Sequence, residues 1–258
     1  MSEGEDIIRF EDLHKAFGPK VVFDGLNLAV RLRETLTVIG GSGTGKSVLL
    51  KSLIGLIHPE SGRIQFKGED ITFFSEQEFL GVRRQVAYVF QGSALFDSLS
   101  VGDNIAYPLR EHFPKMPRAE LNDRVARTLR LVNLPGIEGM RPADLSGGMK
   151  KRVGLARAIA TEPEVILWDE PTTGLDPIST RVIEDLILRM KTELGCTSIV
   201  VTHDMPSAFY VSDRIAMLAS RKIVQVGTVK EIQESRVKEV RAFLDARLPR
   251  PAAQGAAG

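Results

Sequence analysis

Residues 40–47 read GGSGTGKS, which matches the phosphate-binding pattern G-x-x-x-x-G-K-[ST]. Lys46 would supply a mobile positive charge for the β- and γ-phosphates of a nucleotide, and Ser47 a hydroxyl ligand for Mg²⁺. Glycine lets a backbone turn tightly and point its N–H groups at phosphate oxygens, the role expected of Gly40, Gly41, Gly43 and Gly45. The remaining predicted nucleotide contacts in this segment are Ser42, Thr44 and Val48. The segment therefore predicts a site for the phosphates of a nucleotide and for Mg²⁺.

A pair of carboxylates follows a second apolar run, VILW at 165–168. A strand buried on both faces cannot hide charge, so Asp169 and Glu170 would emerge at its carboxyl end, where α/β sheets place their ligands. Asp169 is suited to hold Mg²⁺ through water, and Glu170 to polarise an attacking water. His203 ends the next apolar run, IVVT, so its imidazole could contact the γ-phosphate at the same edge. With Lys46, Glu170 and His203 form the predicted catalytic set.

The elements that must position these residues follow from the hydrophobic periodicity. Residues 7–39 alternate apolar and polar positions, which predicts several strands. Further strands are predicted at 62–71 (with a turn), 86–90, 164–169, 197–202, 214–219 and 222–227, and helices at 45–57, 75–82, 178–194 and 205–211. The later alternation of strand and helix indicates an α/β domain with a parallel sheet.

The region from 101 to about 145 is predicted to be mainly helical and to be broken by Pro108, Pro114, Pro117 and Pro135. A long helix should follow Ser146, a natural N-cap residue. The insert between Gln91 and Ser146 is therefore interpreted as an all-helical subdomain. The basic triplet Lys150, Lys151 and Arg152 lies just after this cap. It is interpreted as a solvated face of the helix. The alternative is a nucleic-acid patch, for which three cations without aromatic residues are weak evidence.

Composition excludes several classes of function. The 258 residues carry a formal net charge of +1, which gives no general attraction to nucleic acid or to an acidic membrane surface. The single cysteine, Cys196, cannot form a disulfide within the chain and fits a reducing compartment. The acidic start MSEGEDIIRFED is not a secretory signal, and no apolar run approaches the ~18 residues of a membrane-spanning helix. We expect membrane contact only through partner proteins.

The order of the motifs identifies a family. GGSGTGKS, Gln91, LSGGM at 145–149, VILWDEP, GLDP and His203 follow one another as in the ATPases of ATP-binding cassette (ABC) transporters, which the sequence resembles over residues 6–245. The resemblance implies an α/β P-loop domain with a RecA-like parallel sheet core, an antiparallel β subdomain and an all-helical subdomain at about 92–160. The Pro/Ala/Gly-rich residues 246–258 are predicted to form a flexible tail.

The resemblance also implies a mechanism that uses two copies of the chain, arranged head to tail as a homodimer. Each ATP would lie between the phosphate-binding loop of one copy and the LSGGM segment of the other. The residues implied to reach the ATP of the partner copy are Ser146, Gly147, Gly148, Met149 and Asp176. Gln91 would contact Mg²⁺ and connect the nucleotide to the helical subdomain. Phe17 would stack on adenine, although it could instead be a core residue of its strand.

The sequence departs from the family pattern at two positions. Met149 stands where the glutamine after LSGG is usual, which removes the contacts of a side-chain amide. Gly174 opens GLDP where the family commonly has serine. Neither change removes a catalytic group, so both sites of the dimer are expected to hydrolyse ATP.

Residues 90–112, FQGSALFDSLSVGDNIAYPLREH, resemble the same segment in the ATPases of MCE-type lipid transporters, the Mla phospholipid system among them. Met149 and the C-terminal RVKEVRAFLDARL resemble that group too. Leu95 and Phe96 are predicted to line a groove that receives a short helix of a membrane permease. The alternative is that apolar residues of this segment only pack the subdomain, as predicted for Val101, Ile105 and Leu109.

This resemblance implies a cytoplasmic ATPase, peripheral on the inner membrane, that drives phospholipid movement through permease subunits. An MCE-domain protein and a small regulatory subunit would complete the complex, with no nucleic-acid partner. The ATPase of a polar-solute importer, for example for amino acids, is the alternative. A DNA- or ribosome-acting cassette ATPase would instead show tandem cassettes, a coiled-coil insert or a basic tract. Glu170 and His203 argue against a clamp that binds ATP without turnover.

The C-terminal segment SRVKEVRAFLDARL has apolar residues at 237, 240, 243, 244 and 248, which predicts a short amphipathic helix ended by Pro249. Its apolar face could dock on its own domain, on the twin subunit or on a small regulatory protein. The sequence leaves these three possibilities open.

Overall fold

The computed structural model describes residues 4–247 and contains two sheets and three clusters of buried apolar side chains. Within that range the strands are β1 (Asp6–Phe17), β2 (Lys20–Arg31), β3 (Thr35–Ile39), β4 (Ser61–Phe66), β5 (Glu69–Asp70), β6 (Val86–Val89), β7 (Val165–Asp169), β8 (Thr197–Thr202), β9 (Arg214–Ala219) and β10 (Lys222–Thr228). The helices are α1 (Lys46–Leu53), α2 (Glu76–Gln85), α3 (Val101–His112), α4 (Arg118–Leu131), α5 (Gly147–Ile159), α6 (Pro177–Leu194), α7 (Met205–Val211), α8 (Val229–Gln233) and α9 (Lys238–Arg247).

The larger sheet has six strands in the order β10-β9-β3-β8-β7-β6. All of its pairs are parallel except β10 with β9, which confirms the predicted parallel core. Every residue of β3, β7 and β8 is buried. This explains why these strands read as unbroken apolar runs, because helices or a second sheet cover both faces of a parallel sheet. The polar residues that follow these strands emerge together at the carboxyl edge.

The smaller sheet is antiparallel, in the order β2-β1-β4-β5, and forms the predicted antiparallel β subdomain. Its apolar side chains share one buried cluster with α1 and the central sheet, which includes Leu26 of β2, Leu50 of α1 and Leu167 of β7. The cluster therefore fixes the phosphate-binding loop, which precedes α1, relative to both sheets. The predicted helix at 45–57 ends early, at Leu53. Gly55 adopts a left-handed φ of 68°, a common helix terminator.

Helices α3, α4 and α5 form the predicted helical subdomain and pack on a second apolar cluster, here called the helical-subdomain cluster, which also contains Trp168 of β7 and Ile187 of α6. Val101, Ile105 and Leu109 are fully buried there, as their spacing predicted. The predicted break at Pro108 is wrong, because Pro108 lies inside α3. Proline removes one backbone hydrogen bond from a helix, and burial of the apolar face on either side of Pro108 compensates for that loss.

The C-terminal amphipathic helix docks on its own domain. Val240 and Leu244 of α9 are buried in a third cluster with Ile39 and Met217 of the central sheet. Residues 246 and 247 of the predicted tail belong to α9, and the rest of it, 248–258, lies outside the described residues. Among residues 4–247 no helix has both the length and the apolar character needed to cross a membrane.

Candidate functional site

The predicted site residues converge at the carboxyl edge of the central sheet. β3, β8, β7 and β6 are neighbours there, and their ends are level: Ile39 pairs with Thr202, and Val201 with Asp169. Ligands of α/β sheets bind at this edge. The chain continues from these four strand ends into the predicted site residues, namely the loop at 40–47, His203, Glu170 and Gln91.

Glycine is required in the phosphate-binding loop for reasons of space. Gly45 precedes α1 with a φ of 108°, and a Cβ atom there would lie 2.4 Å from Cγ1 of Val22. A Cβ atom on Gly40 would lie 2.5 Å from the carbonyl oxygen of Leu218. Both positions exclude any side chain, which keeps the backbone N–H groups at the start of α1 open to a phosphate.

Lys46, the first residue of α1, is only 7% exposed and points into the loop. Its Nζ donates to the carbonyl oxygens of Gly40 and Gly41, at 3.0 Å each, and lies 3.9 Å from Oε1 of Glu170. Burial lowers the pKa of Lys46, while the carboxylates of Glu170 and Asp169 raise it. An ammonium has three donors, so one remains for a phosphate oxygen.

Asp169 holds two hydroxyl groups from different parts of the chain. The Ser47 hydroxyl donates to Oδ1 and the Tyr88 hydroxyl to Oδ2, each at 2.7 Å. Burial raises the pKa of Tyr88, and so does the Asp169 carboxylate, so this phenol stays a donor. Oxygen ligands of this kind suit Mg²⁺. Among residues 4–247 there is no group of three or more His, Cys, Asp or Glu side chains that could hold a metal ion.

Glu170 is oriented by contacts on both its backbone and its carboxylate. Its φ of 49° lies in the left-handed region, and its N–H donates to the carbonyl oxygen of Val201 at 2.9 Å. Oε2 accepts from Nδ1 of His203 at 2.8 Å and from the hydroxyl of Thr173 at 3.0 Å. Because a carboxylate only accepts, Nδ1 carries the proton. The pair can therefore present a fixed general base beside the phosphate-binding loop.

A cleft of about 490 Å³ opens at this edge, within the usual size range of ligand pockets. Phe17 and Val22 form an apolar wall suited to a base, and Gln91 lies in the lining as predicted. Phe17 is 48% exposed, which excludes the core alternative for this residue. Its ring lies under the Lys15 ammonium, 4.9 Å from the centroid. The cleft is lined by Phe17, Lys20, Val22, Ser42, Gly43, Gly45, Lys46, Ser47, Val48, Gln91, Glu170, His203 and Arg247.

The residues predicted to act on the partner's ATP do not line this cleft within residues 4–247. Ser146 caps α5 by accepting from the N–H of Met149 at 3.2 Å, and Gly147 beside it is exposed. The Met149 side chain packs partly buried on the helical-subdomain cluster. Asp176 caps α6, where hydrogen bonds from Ser179 hold the pKa of its carboxyl below the usual value. The start of α5 is thus capped by Ser146 and lies outside the lining of this cleft.

The interpretation of the basic triplet as a solvated face is wrong for Lys151. Its Nζ donates to the carbonyl oxygens of Pro171 and Thr173, in the segment after Glu170. Burial lowers the pKa of Lys151, and the Glu170 carboxylate opposes this shift. The ammonium therefore lies against the segment that follows Glu170 and not in solvent.

A groove lies near the predicted permease contact, and it includes Phe96 but not Leu95; binding of a partner there stays a prediction. This groove of about 450 Å³ is lined by Phe96, Tyr107 and Phe90, among others, and the rings of Phe96 and Tyr107 are 4.9 Å apart. Leu95 instead packs partly buried against the helical-subdomain cluster. The prediction is corrected for Leu95, because its side chain gains burial against this cluster while Phe96 stays exposed.

Sequence reasoning missed several residues of the site. Tyr88 is the partner of Asp169, although it looked like one more residue of a buried strand. Thr173 donates to Glu170, and Arg247 lines the cleft. No motif in the sequence pointed to either residue. An aromatic hydroxyl within an apolar strand is the one hint that could have pointed to Tyr88, since buried phenols usually find a hydrogen-bond partner.

Comparison with known proteins shows similarity to the ABC transporter family over most of the chain. The family described as ABC transporter matches residues 23–173. The intermembrane phospholipid transport system ATP-binding proteins MlaF of Haemophilus influenzae and Escherichia coli K12 are 40% and 39% identical over 240 residues, covering 93% of this chain and 90% and 89% of theirs. A probable ribonucleotide transport ATP-binding protein, mkl of Mycobacterium leprae, is 41% identical over 93% of this chain and 69% of its own length.

Solved structures agree with this assignment. CbiO1 from Clostridium perfringens, part of an ABC transporter complex, superposes with a TM-score of 0.82 and 32% identity, covering 95% of this chain and 97% of that one. The ATP-binding cassette MJ0796, in a dimer bound to ADP and Pi, gives a TM-score of 0.79 at 28% identity, covering 86% of this chain and 98% of that one. Together with the cleft at the sheet edge, these likenesses show that the chain belongs to the ABC transporter family and is one of its ATPases.

Proposed function

We propose that two copies of this chain form an ATP-dependent homodimer that powers phospholipid transfer between membranes. The dimer would bind permease subunits on the cytoplasmic face of the inner membrane, in a complex with an MCE-domain protein and a small regulatory subunit. The single observation that supports phospholipid as the cargo is the 39–40% identity to intermembrane phospholipid transport ATP-binding proteins over 93% of the chain.

Hydrolysis follows from the arrangement around Glu170. A water placed between its carboxylate and the γ-phosphorus would form the new P–O bond while the bond to the bridging oxygen breaks and ADP departs. Glu170 would accept the water proton, and Lys46 would neutralise charge on the phosphate oxygens. Ser47 and Asp169, with Gln91 nearby, would hold Mg²⁺, which supplies positive charge to the phosphates. His203 keeps the base oriented through the 2.8 Å hydrogen bond from its Nδ1.

The position of the α5 start outside the chain's own cleft supports an ATP site shared between two copies. The exposed, Ser146-capped start of α5 presents backbone N–H groups that suit a γ-phosphate, yet this start does not line the chain's own cleft. A second copy arranged head to tail brings it to the ATP. The likeness to a cassette solved as a dimer with ADP and Pi supports this arrangement.

The groove at Phe96 offers the contact to the permease. Its exposed aromatic side chains form an apolar surface suited to the apolar face of a short helix. Tyr88 lines the same groove and donates its hydroxyl to Asp169 at 2.7 Å. A helix seated in the groove would therefore contact the residue that orients a Mg²⁺-binding carboxylate, which gives a physical route from the permease to the nucleotide.

A second cargo has to be tested because the relative mkl is named for ribonucleotide transport at a similar identity of 41%. The chain spans 69% of that relative, against 90% of MlaF from Haemophilus influenzae. An importer of amino acids is less favoured than phospholipid transport, because the phospholipid transport relatives match 93% of this chain and about nine tenths of their own length.

The test reconstitutes the complex that co-purifies with the tagged chain into liposomes. We expect ATP to drive transfer of a fluorescent phospholipid to acceptor liposomes, and the same complex carrying Glu170→Gln to transfer none. Parallel arms measure uptake of a labelled ribonucleotide and of labelled amino acids. Uptake in either arm without phospholipid transfer would contradict the proposed cargo and leave the ATPase assignment intact.

A further inference from the structure

Lys151 lies on the first turns of α5, shortly after the LSGGM segment. Its Nζ donates to the carbonyl oxygen of Pro171 at 3.0 Å and to that of Thr173 at 2.5 Å. Both carbonyl groups belong to the short segment that leaves the catalytic strand directly after Glu170. A half-buried ammonium that donates to two backbone carbonyl groups fixes that segment against α5.

Thr173 connects this contact to the catalytic carboxylate. The Thr173 hydroxyl donates to Oε2 of Glu170 at 3.0 Å, and its N–H donates to the Glu170 carbonyl oxygen at 3.3 Å. Glu170 itself has a φ of 49°, a conformation that persists in a non-glycine residue only when neighbouring contacts hold it. Lys151 holds Thr173, and Thr173 orients Glu170. Lys151 therefore acts on the general base through Thr173.

In the proposed dimer, α5 would therefore contribute to two ATP sites. The capped N-terminus of α5 would meet the ATP of the partner copy, while Lys151, one turn later, is bonded to the segment behind Glu170 of the chain's own ATP. We propose that Lys151 is a positioning residue that couples the two ATP sites. When the LSGGM segment binds one ATP, the contact of Lys151 with the segment behind Glu170 affects the position of Glu170 at the other ATP. This inference rests on the proposed homodimer, because only there would the start of α5 meet one ATP while Lys151 contacts the segment behind Glu170 of the other ATP site.

Its two neighbours in the triplet show that the contact belongs to Lys151 alone. Lys150 has the same charge and similar burial, yet its side chain makes no hydrogen bond to any part of the chain that the structure describes. Arg152 donates to the carbonyl oxygen of Asn133, in the helical subdomain. Lys150→Met is therefore a matched control that removes the same charge from the same helix.

The experiment compares Lys151→Met, Lys151→Arg and Lys150→Met in the full-length chain. We expect Lys151→Met to lower kcat about tenfold, since misplacing a catalytic group costs turnover, and to leave KM for ATP within about twofold. The Hill coefficient for ATP should be above one in the unmodified protein and fall towards one in Lys151→Met. Lys151→Arg should recover most of kcat, because a guanidinium can donate to the same carbonyl oxygens, and Lys150→Met should match the unmodified protein.

Thr173→Val offers a second route to the same answer if Lys151→Met does not fold. It removes the hydroxyl that donates to Glu170 and should likewise lower kcat without raising KM. A purely structural role for Lys151 would lower only the thermal unfolding temperature and the active fraction. The proposal is overturned if kcat and the Hill coefficient of Lys151→Met equal those of Lys150→Met, or if the unmodified protein shows a Hill coefficient of one. Absence of ATP hydrolysis in the unmodified protein would instead overturn the proposed function.

Discussion

Asp169 illustrates how single residues set up this site. The carboxylate is 7% exposed and accepts hydroxyl hydrogen bonds from Ser47 on one side and Tyr88 on the other. Burial of a carboxylate is costly unless it is hydrogen-bonded, and these two donors supply that compensation. Each donor also serves a second purpose, since Ser47 lies in the phosphate-binding loop and Tyr88 lines the groove.

Tyr88→Phe tests this arrangement. We expect the free energy of unfolding at neutral pH to fall by about 2 kcal/mol, because a hydrogen bond to a charged group contributes about 1.5–3 kcal/mol. The pKa of Tyr88 is raised above its usual 10.0 by burial and by Asp169, so the unfolded chain loses the phenolic proton first as the pH rises. The contribution is therefore complete below pH 10.0 and is lost at higher pH, so the gap between the two proteins should narrow there.

Tyr210→Phe is the control for this measurement. Its hydroxyl also donates to a carboxylate, that of Asp185, but the side chain is exposed. Urea unfolding should show no resolvable change for Tyr210→Phe. A loss of similar size in both variants would contradict a special role for Tyr88.

Among the elements, α3 shows how a helix fixes the loop before it. Asn104 near the start of α3 is fully buried, and its amide lies within hydrogen-bond distance of four backbone groups before the helix, three of which share its two N–H groups. Oδ1 accepts from the N–H of Phe96 at 2.8 Å, and Nδ2 donates to the carbonyl oxygen of Phe96 at 3.1 Å. The remaining two bonds go to the carbonyl oxygens of Leu99 and Ser100. The side chain thereby holds Phe96 at the groove.

Asn104→Ala should destabilise the protein by about 2–4 kcal/mol, because it leaves several buried backbone groups without partners. Equilibrium urea unfolding measures this change. Asn122→Ala on the exposed side of α4 is the control and should change stability by less than about 0.5 kcal/mol. Equal effects of the two substitutions would show that the loop does not depend on Asn104.

The sequence predicted the central strands well because burial on both faces leaves an unmistakable apolar run, as in β7 and β8. It predicted the site residues at their ends for the same reason, since the motifs follow those runs directly. Helix ends and breaks were less predictable. Pro108 lies within α3 because tertiary burial outweighs the local preference, and α1 stops early at a glycine whose left-handed φ is not visible in a pattern.

The contacts that the sequence did not predict join residues that are far apart in the chain. Tyr88 and Asp169 are separated by 81 positions, and Lys151 and Thr173 by 22. No periodicity or motif couples such positions, because the fold alone brings their side chains together. Leu95 and Phe96 show the same limit at short range, since both are apolar and only the packing decides which of them faces outwards.

At the scale of the whole molecule, the cleft and the groove meet at β6. Tyr88 in this strand lines the groove and also reaches Asp169, while Gln91, just beyond the strand, lines the cleft. In the proposed complex, the permease would contact Tyr88 and ATP would contact Gln91, three positions further along the chain. This proximity would give a structural basis for coupling the two events.

Phe96→Ser should weaken binding to the permease and leave ATP hydrolysis by the isolated chain intact, because Phe96 lies in the groove and not in the cleft. Leu95→Ser is the contrasting variant and should lower the unfolding temperature, since Leu95 packs on the helical-subdomain cluster. Co-purification with the permease and thermal unfolding report the two effects. Undiminished permease association of Phe96→Ser would count against the groove.

Glu170 is the proposed general base of this ATPase. Glu170 and Glu164 lie at opposite ends of β7, so the same substitution at each end gives a matched pair. Glu164 pairs with Lys67 at the surface, 2.8 Å from its Nζ, away from the cleft. Both variants should bind ATP, because neither residue belongs to the phosphate-binding loop.

The decisive measurement is the rate of phosphate release at saturating ATP by Glu170→Gln and Glu164→Gln in the same assay. General acid–base catalysis contributes about 10²–10⁴-fold, so Glu170→Gln should release phosphate slower than the unmodified protein by that factor while it retains bound ATP. Glu164→Gln should remain close to the unmodified rate. Phosphate release by Glu170→Gln at a rate near that of Glu164→Gln would contradict the account.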